Sequence, residues 1–159
     1  MARQVNAAGV ALVMECEGFR ATAYRCPAGR WTLGYGRTRG VRPGDRVTRE
    51  VAGQWLRDDL ARAGAAVERL VKTPLNDNQF AALASFVFNL GEGSLAGSTL
   101  LRHVNAGRLE VVPAQLARWV KATDPATGKK RTLPGLERRR AAEAALWLTP
   151  PKPSQEGSE

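Results

Sequence analysis

The stretch NDNQFAALASFVFNLG, residues 76–91, restricts what this chain can fold into more than any other. Asn76 with Gln79 three residues on has the form of a helix N-cap and capping box, and Gly91 is a typical helix stop. Between them the residues are apolar on nearly every side of a helical wheel. Such a helix cannot lie on a surface, so it is expected at the centre of a helical lobe, wrapped by other elements.

The remaining chain supplies those elements. From Thr48 to about Val71, TREVAGQWLRDDLARAGAAVERLV reads as a long helix whose apolar stripe is Val51, Trp55, Leu56, Leu60, Val67 and Leu70, with Pro74 as the break. Residues 3–17, GSTLLRHVNAG capped near Ser98, Val112 to Val120 with Trp119 on its apolar face, and LPGLERRRAAEAALW predict further helices, and KATDPATGKKRT a polar loop. Residues 19–47 differ in character: Phe19, Tyr24, Trp31, Leu33 and Tyr35 stand among Pro27-Ala28-Gly29, Gly34, Gly36, Gly40 and Pro43-Gly44. Short strands and tight turns follow from that mixture. The expectation is an α+β, mainly α fold in one domain over residues 1–148. It has a small β-hairpin lobe at 19–47, a linking helix at 48–71, and a larger helical lobe from 74–148 joined by helix 3–17, with a cleft where the lobes meet. The segment TPPKPSQEGSE, 149–159, has no core residues and is expected to be a disordered tail.

No run of about 18 apolar residues is present, which excludes a spanning helix of the usual kind. The apolar patch near the N-terminus is bracketed by Asn6 and Glu15 with no small-residue cleavage site after it, so it reads as a helix rather than a signal peptide. Two cysteines do not make a disulfide framework. A Cys16–Cys26 bridge is conceivable, but a chain without an export signal meets a reducing compartment, and Cys16 is expected to be a buried apolar residue. The net charge of +9 favours solubility or attraction to a polyanion. With no basic stripe interleaved with aromatics, nucleic acid is not the expected partner. No paired Cys/His spacing or phosphate loop occurs either, so neither metal nor cofactor is implied.

Candidate chemistry concentrates in ECEGFRATAYRCPAGRWTLGYGR, residues 15–37. Val10, Val13, Met14 and Glu17 follow the helical i, i+3, i+4, i+7 rule and share one face, while Glu15 points elsewhere. A carboxyl at the end of an apolar stripe and at a helix C-terminus is favoured in its protonated form by desolvation and by the helix dipole. That is the form a general acid for a glycosidic oxygen requires. The ordinary alternative is a glutamate reaching solvent from the end of the stripe. Cys26 and Thr32 flank the Pro-Ala-Gly turn and can approach Glu17 if the hairpin folds beside helix 3–17. A threonine hydroxyl there can hold a water; equally, both can be plain strand residues.

Together Glu17, Cys26 and Thr32, with Gly34-Tyr35-Gly36 behind, resemble the phage-type lysozymes, the muramidase endolysins. The resemblance continues through Leu75 to Leu83, Phe86 to Gly91, Ser98 to Leu101 and Leu133 to Leu136 with Arg139-Arg140, covering about residues 12–148. It implies a lysozyme-like two-lobed fold and hydrolysis of the β-1,4 bond between N-acetylmuramic acid and N-acetylglucosamine in peptidoglycan. Glu17 matches the catalytic acid of the family, Thr32 its active-site threonine, and Cys26 the position usually held by Asp. Phe88 and Asn89 match a segment lining the saccharide cleft. A monomer is expected, accumulating in the host cytoplasm for want of an export signal, and the resemblance implies that it reaches the wall once a separate membrane-permeabilising protein acts. Anionic envelope components are then natural partners for the positive charge. A thiol has an ordinary pKa of about 8.5, and an acidic neighbour does not lower it. Cys26 is therefore expected as neutral SH, helping Thr32 place a water rather than attacking the sugar. Two other classes remain: a wall peptidase or amidase using Cys26 with His103, and a non-catalytic wall-binding module.

Overall fold

The computed structural model describes residues 2–153. The helix expected at 76–91 forms as α3 (Asp77–Leu90). Asn76 Oδ1 accepts from the Gln79 N–H at 2.8 Å, and Gln79 Oε1 accepts from the Asn76 N–H at 2.9 Å, which completes the capping box. From Phe80 to Val87 every residue is buried. The covering comes from α1 (Ala7–Glu17), α2 (Arg49–Leu70) and α7 (Pro134–Leu148), all packed directly on α3. Phe80, Leu83 and Phe86 of α3 meet Leu95, Leu100, Val104, Leu116 and Trp147 in the main core. A second core joins α1 to α2 through Val10, Val13, Leu56 and Leu60, and Phe88 packs against both.

The β lobe is a hairpin of β1 (Arg20–Arg25) and β2 (Trp31–Gly34), antiparallel, with Tyr24 opposite Thr32. On the other edge of β1, Val47 N–H donates to the Ala21 carbonyl at 2.9 Å and Ala23 N–H to that of Asp45 at 2.8 Å, adding a short third segment. The lobe then runs into α2, whose first turn is capped by Thr48.

Several boundaries depart from expectation. Helix 3–17 begins only at Ala7, because Asn6 caps it and Arg3 is drawn away to Glu68, the Leu75 carbonyl and Asp77. Val51, counted in the apolar stripe of α2, is 45% exposed, since it faces an open pocket shared with Val47 and Trp55 while its neighbour Ala52 is buried. Helix α4 (Glu92–Ala96) precedes α5 (Thr99–Asn105), and α6 is a short Val112–Leu116 rather than reaching Val120. The loop expected at 121–132 is a hairpin of β3 (Lys121–Thr123) and β4 (Lys130–Thr132). Its turn is closed by Asp124, which accepts from the Ala126 N–H at 2.9 Å, and by Gly128 at φ 70°. The tail expectation covers 149–159, of which 154–159 lie outside the described residues. Thr149 and Pro150 carbonyls accept from the Asn78 side-chain amide.

Candidate active site

The last turn of α1 carries Glu17, and Gly18, at φ 68°, ends the helix with its N–H on the Met14 carbonyl at 2.9 Å. The Glu17 side chain is 24% exposed, and its Oε1 accepts from Arg139 Nη1 at 2.7 Å, the guanidinium being 5% exposed. Its Oε2 faces Gly36, where a Cβ would stand only 2.6 Å from that oxygen. Gly36 sits at φ 80°, so both backbone conformation and close approach require glycine. A buried cation thus stands beside the Glu17 carboxyl. Arg139 comes from α7, more than a hundred residues away, and periodicity within helix 3–17 carries no sign of it.

Arg139 is itself held by a buried ionic group. Its Nε lies 3.7 Å from Glu143 Oε2, one turn along α7. Glu143 is fully buried; Ser85 Oγ donates to it at 2.6 Å and Arg140 Nη2 at 3.1 Å, and Arg140 Nε forms a 2.6 Å ion pair with its other oxygen. Burial pushes the Glu143 carboxyl up, with Arg140 pulling it back, and burial lowers Arg140. Arg140 also donates to Asn89 Oδ1 at 2.8 Å and to the Trp119 carbonyl. Asn89 therefore anchors this group as well as facing the cleft.

Cys26 falls one residue past β1, in the turn rather than on the strand. Its N–H donates to the Arg30 carbonyl at 2.9 Å, and Gly29 N–H donates to its own carbonyl at 2.8 Å. The Arg30 N–H and then the Thr32 hydroxyl at the sulfur hold the Cys26 thiol below its ordinary range, with the Ala28 N–H adding to them against some desolvation. The expectation of an unassisted thiol considered only acidic neighbours; turn N–H groups stabilise the thiolate here. Thr32 is buried, and its hydroxyl also donates to the Arg30 carbonyl at 3.1 Å. Its one proton serves that carbonyl or the sulfur, not both.

Two open cavities lie near Glu17, one lined by Glu17 itself and one by Gly36 beside it. One, about 750 Å³, is lined by Glu17, Cys16, Asn89, Leu133, Arg138 and Arg139. The other, about 440 Å³, includes Gly36, Arg37, Asp59, Arg62 and Phe88. Gly36, close to the Glu17 carboxylate, lines the second cavity together with Phe88, whereas Asn89 lines the first. Cys16 is exposed, not buried as expected, because the side of α1 that it occupies faces the first cavity. The protein around its sulfur raises its thiol, with Arg139 pulling it back. Both cysteines are free. His103 lies on α5 with Nδ1 accepting from Arg108 Nε at 2.8 Å, whereas the sulfur of Cys26 is met by Arg30, Thr32 and Ala28. The structure gives these two side chains separate partners in separate lobes.

Set beside known proteins, residues 14–143 match the family model described as phage lysozyme. The chain is 43% identical over 143 residues to the endolysin of Acyrthosiphon pisum secondary endosymbiont phage 1, covering 90% of this chain and 97% of that protein. Among solved structures, the muramidase domain of SpmX from Asticaccaulis excentricus matches at 44% identity with a TM-score of 0.85, over 93% of this chain and 99% of that one. The endolysin from Escherichia coli O157:H7 phage FAHEc1 matches at 34% identity and a TM-score of 0.87, over 93% and 95%.

Proposed function

The chain belongs to the phage lysozyme family, and on that premise we propose that it is an endolysin cleaving the β-1,4 bond between N-acetylmuramic acid and N-acetylglucosamine. Glu17 is the general acid, and Thr32 with Cys26 positions the attacking water. The observation that supports this most is the Glu17 carboxyl itself, fixed by Arg139 at 2.7 Å in the wall of the cavity of about 750 Å³. With Oε1 engaged by Arg139, Oε2 is the oxygen left to deliver a proton. That proton passes to the glycosidic oxygen as the bond from the anomeric carbon to it breaks. The electron pair leaves with the oxygen, and positive charge develops on the sugar ring. Water attacks that carbon, oriented by the Thr32 hydroxyl and the Cys26 sulfur, and its surplus proton goes to solvent or back to Glu17. Phe88 and Asn89 line the bound saccharide.

In the cell, the protein acts as a monomer from the host cytoplasm and reaches peptidoglycan once a separate permeabilising protein opens the membrane. No described helix is long and apolar enough to cross a membrane itself.

Glu17→Gln tests the mechanism. The amide keeps the shape but cannot act as an acid, and general acid catalysis contributes roughly 10²–10⁴-fold. Wall lysis should fall by that order in a protein with a native circular dichroism spectrum, while Glu15→Gln stays near wild type. Analysis of the soluble products sets the bond: new reducing sugar ends are expected. New amino groups would instead indicate a peptidase or amidase, 1,6-anhydro ends a transglycosylase, and no product a binding module.

A further inference from the structure

The positive charge of this protein is concentrated in one lobe. From Phe19 through Arg49 the chain carries eight arginines, no lysine, and a single acid, Asp45. Asp45 is turned inward on its own loop, accepting from the Arg42 N–H at 2.8 Å. Four of these arginines lie over aromatic rings: Arg20 on Tyr24 at 4.6 Å, Arg25 on Trp31 at 5.6 Å, Arg37 on Trp55 at 4.4 Å and Arg49 on Phe19 at 4.4 Å. Stacking uses the face of a guanidinium and leaves its N–H edge free for an oxyanion. Among the described residues, none of these four, nor Arg46, forms an ion pair with an acid.

Beside them opens an apolar pocket of about 490 Å³ that the saccharide cleft does not include. Ala21 and Val47 of the β lobe form one wall, Thr48, Val51 and Trp55 of α2 the other, and Arg46 stands in its rim. Val51, at 45% exposure, is one of two exposed large apolar side chains among the described residues. Arg37 is stacked on the pocket's Trp55, and Arg49 follows its Thr48 in the chain. An apolar hollow with phosphate-binding edges around it matches an amphiphile with an anionic head. Bare polyphosphate would use the arginines but leave the pocket empty.

We propose that the outer face of the β lobe is a docking surface for an anionic phospholipid membrane, with the arginines on headgroup phosphates and the Val51–Trp55 pocket taking acyl or glycerol carbons. Apart from Arg37, which also lines the cavity of about 440 Å³, the stacked arginines, Arg46 and the pocket residues lie outside both cavities near Glu17, so an enzyme docked there keeps its cleft open to glycan.

The test uses the full chain and sedimentation with vesicles of equimolar phosphatidylglycerol and phosphatidylcholine, against pure phosphatidylcholine. Binding is expected to the first and not the second. Arg46→Glu with Arg49→Glu should weaken it roughly 25-fold or more, since each arginine at an anionic surface contributes about a factor of five. Lys129→Glu with Lys130→Glu makes the same change in net charge in the β3–β4 hairpin and should cost far less. Val51→Asp, at an exposed site where folding is not at stake, should also weaken binding by more than tenfold. Equal loss from the arginine and lysine pairs would reduce the effect to net charge and overturn the proposal. So would unchanged binding by Val51→Asp, or displacement of the vesicles by duplex DNA at equal phosphate, which would make nucleic acid the ligand. Hydrolysis of solubilised glycan strands should be unaffected in every variant, so lipid binding and catalysis fail or stand independently.

Discussion

One oxygen of Glu17 is engaged by Arg139 and the other is pressed against Gly36, so its position depends on two residues distant in sequence. Gly36→Ala should therefore disable the enzyme without touching the acid. The new methyl would enter at φ 80° and within 2.6 Å of Oε2, so the carboxyl must move. Activity should fall at least tenfold, with about 1–3 kcal/mol lost in denaturant unfolding from backbone strain. A fully active Gly36→Ala protein would show that Oε2 does not need that place. At the sulfurs, hydrogen bonding lowers the Cys26 thiol and burial of the sulfur raises that of Cys16. The thiolate is the reactive form, so at any pH below both values Cys26 carries more of it. Iodoacetamide near neutral pH should label Cys26 first, although Cys16 is the more exposed residue. Mass spectrometry of the early adduct decides the order. For catalysis, Cys26→Asp should retain or raise activity, and Cys26→Ser should retain part of it. A sugar adduct on Cys26 together with an inactive Cys26→Asp protein would make the thiolate the nucleophile and overturn the water-attack reading.

Between elements, the seam of α3 and α7 is unusual in placing an ion cluster where apolar packing would serve. Ser85 and Asn89 of α3 face Arg139, Arg140 and Glu143 of α7. Glu143→Gln leaves two buried guanidinium groups without their shared anion, and breaking a buried pair in this way costs about 3–5 kcal/mol. Arg140→Met with Glu143→Leu removes both charges and should be the more stable of the two variants by thermal denaturation. Yet the double variant should still lose activity, because the anion next to Arg139 is gone and Glu17 loses its fixed partner. Full activity there would confine the cluster to a role in folding.

At the level of the whole molecule, charge is unevenly distributed, with the β lobe strongly basic and the helical lobe close to balanced. Attraction to an anionic envelope is screened over about 10 Å at 0.1 M salt. Lysis of whole walls should weaken as salt rises, while turnover of small neutral chitooligosaccharides should change much less. Equal salt dependence on both would remove electrostatics from substrate encounter.

Local signals were legible where one segment contained all of its own information. The capping box of Asn76 and Gln79, the stop at Gly91, the apolar circumference of α3, and the glycine-rich turns of the β lobe were all written within a few residues. The family was legible too, through residue blocks spread over about 12–148. The sequence could not show which cation stands at Glu17, because a run of three arginines on one helix becomes distinguishable only when α7 docks on α1 and α3. Nor could it separate Val51 from the rest of its stripe: period alone cannot tell which part of an apolar stripe a neighbouring element covers. Cys16 and Cys26 likewise differ through turn N–H groups and neighbouring side chains, not through residue type. Sequence determined which elements form and where they stop, since those depend on short-range backbone and capping interactions. Tertiary packing decided charge pairing, exposure and thiol acidity, since these arise only when residues far apart in the chain share one low-dielectric space.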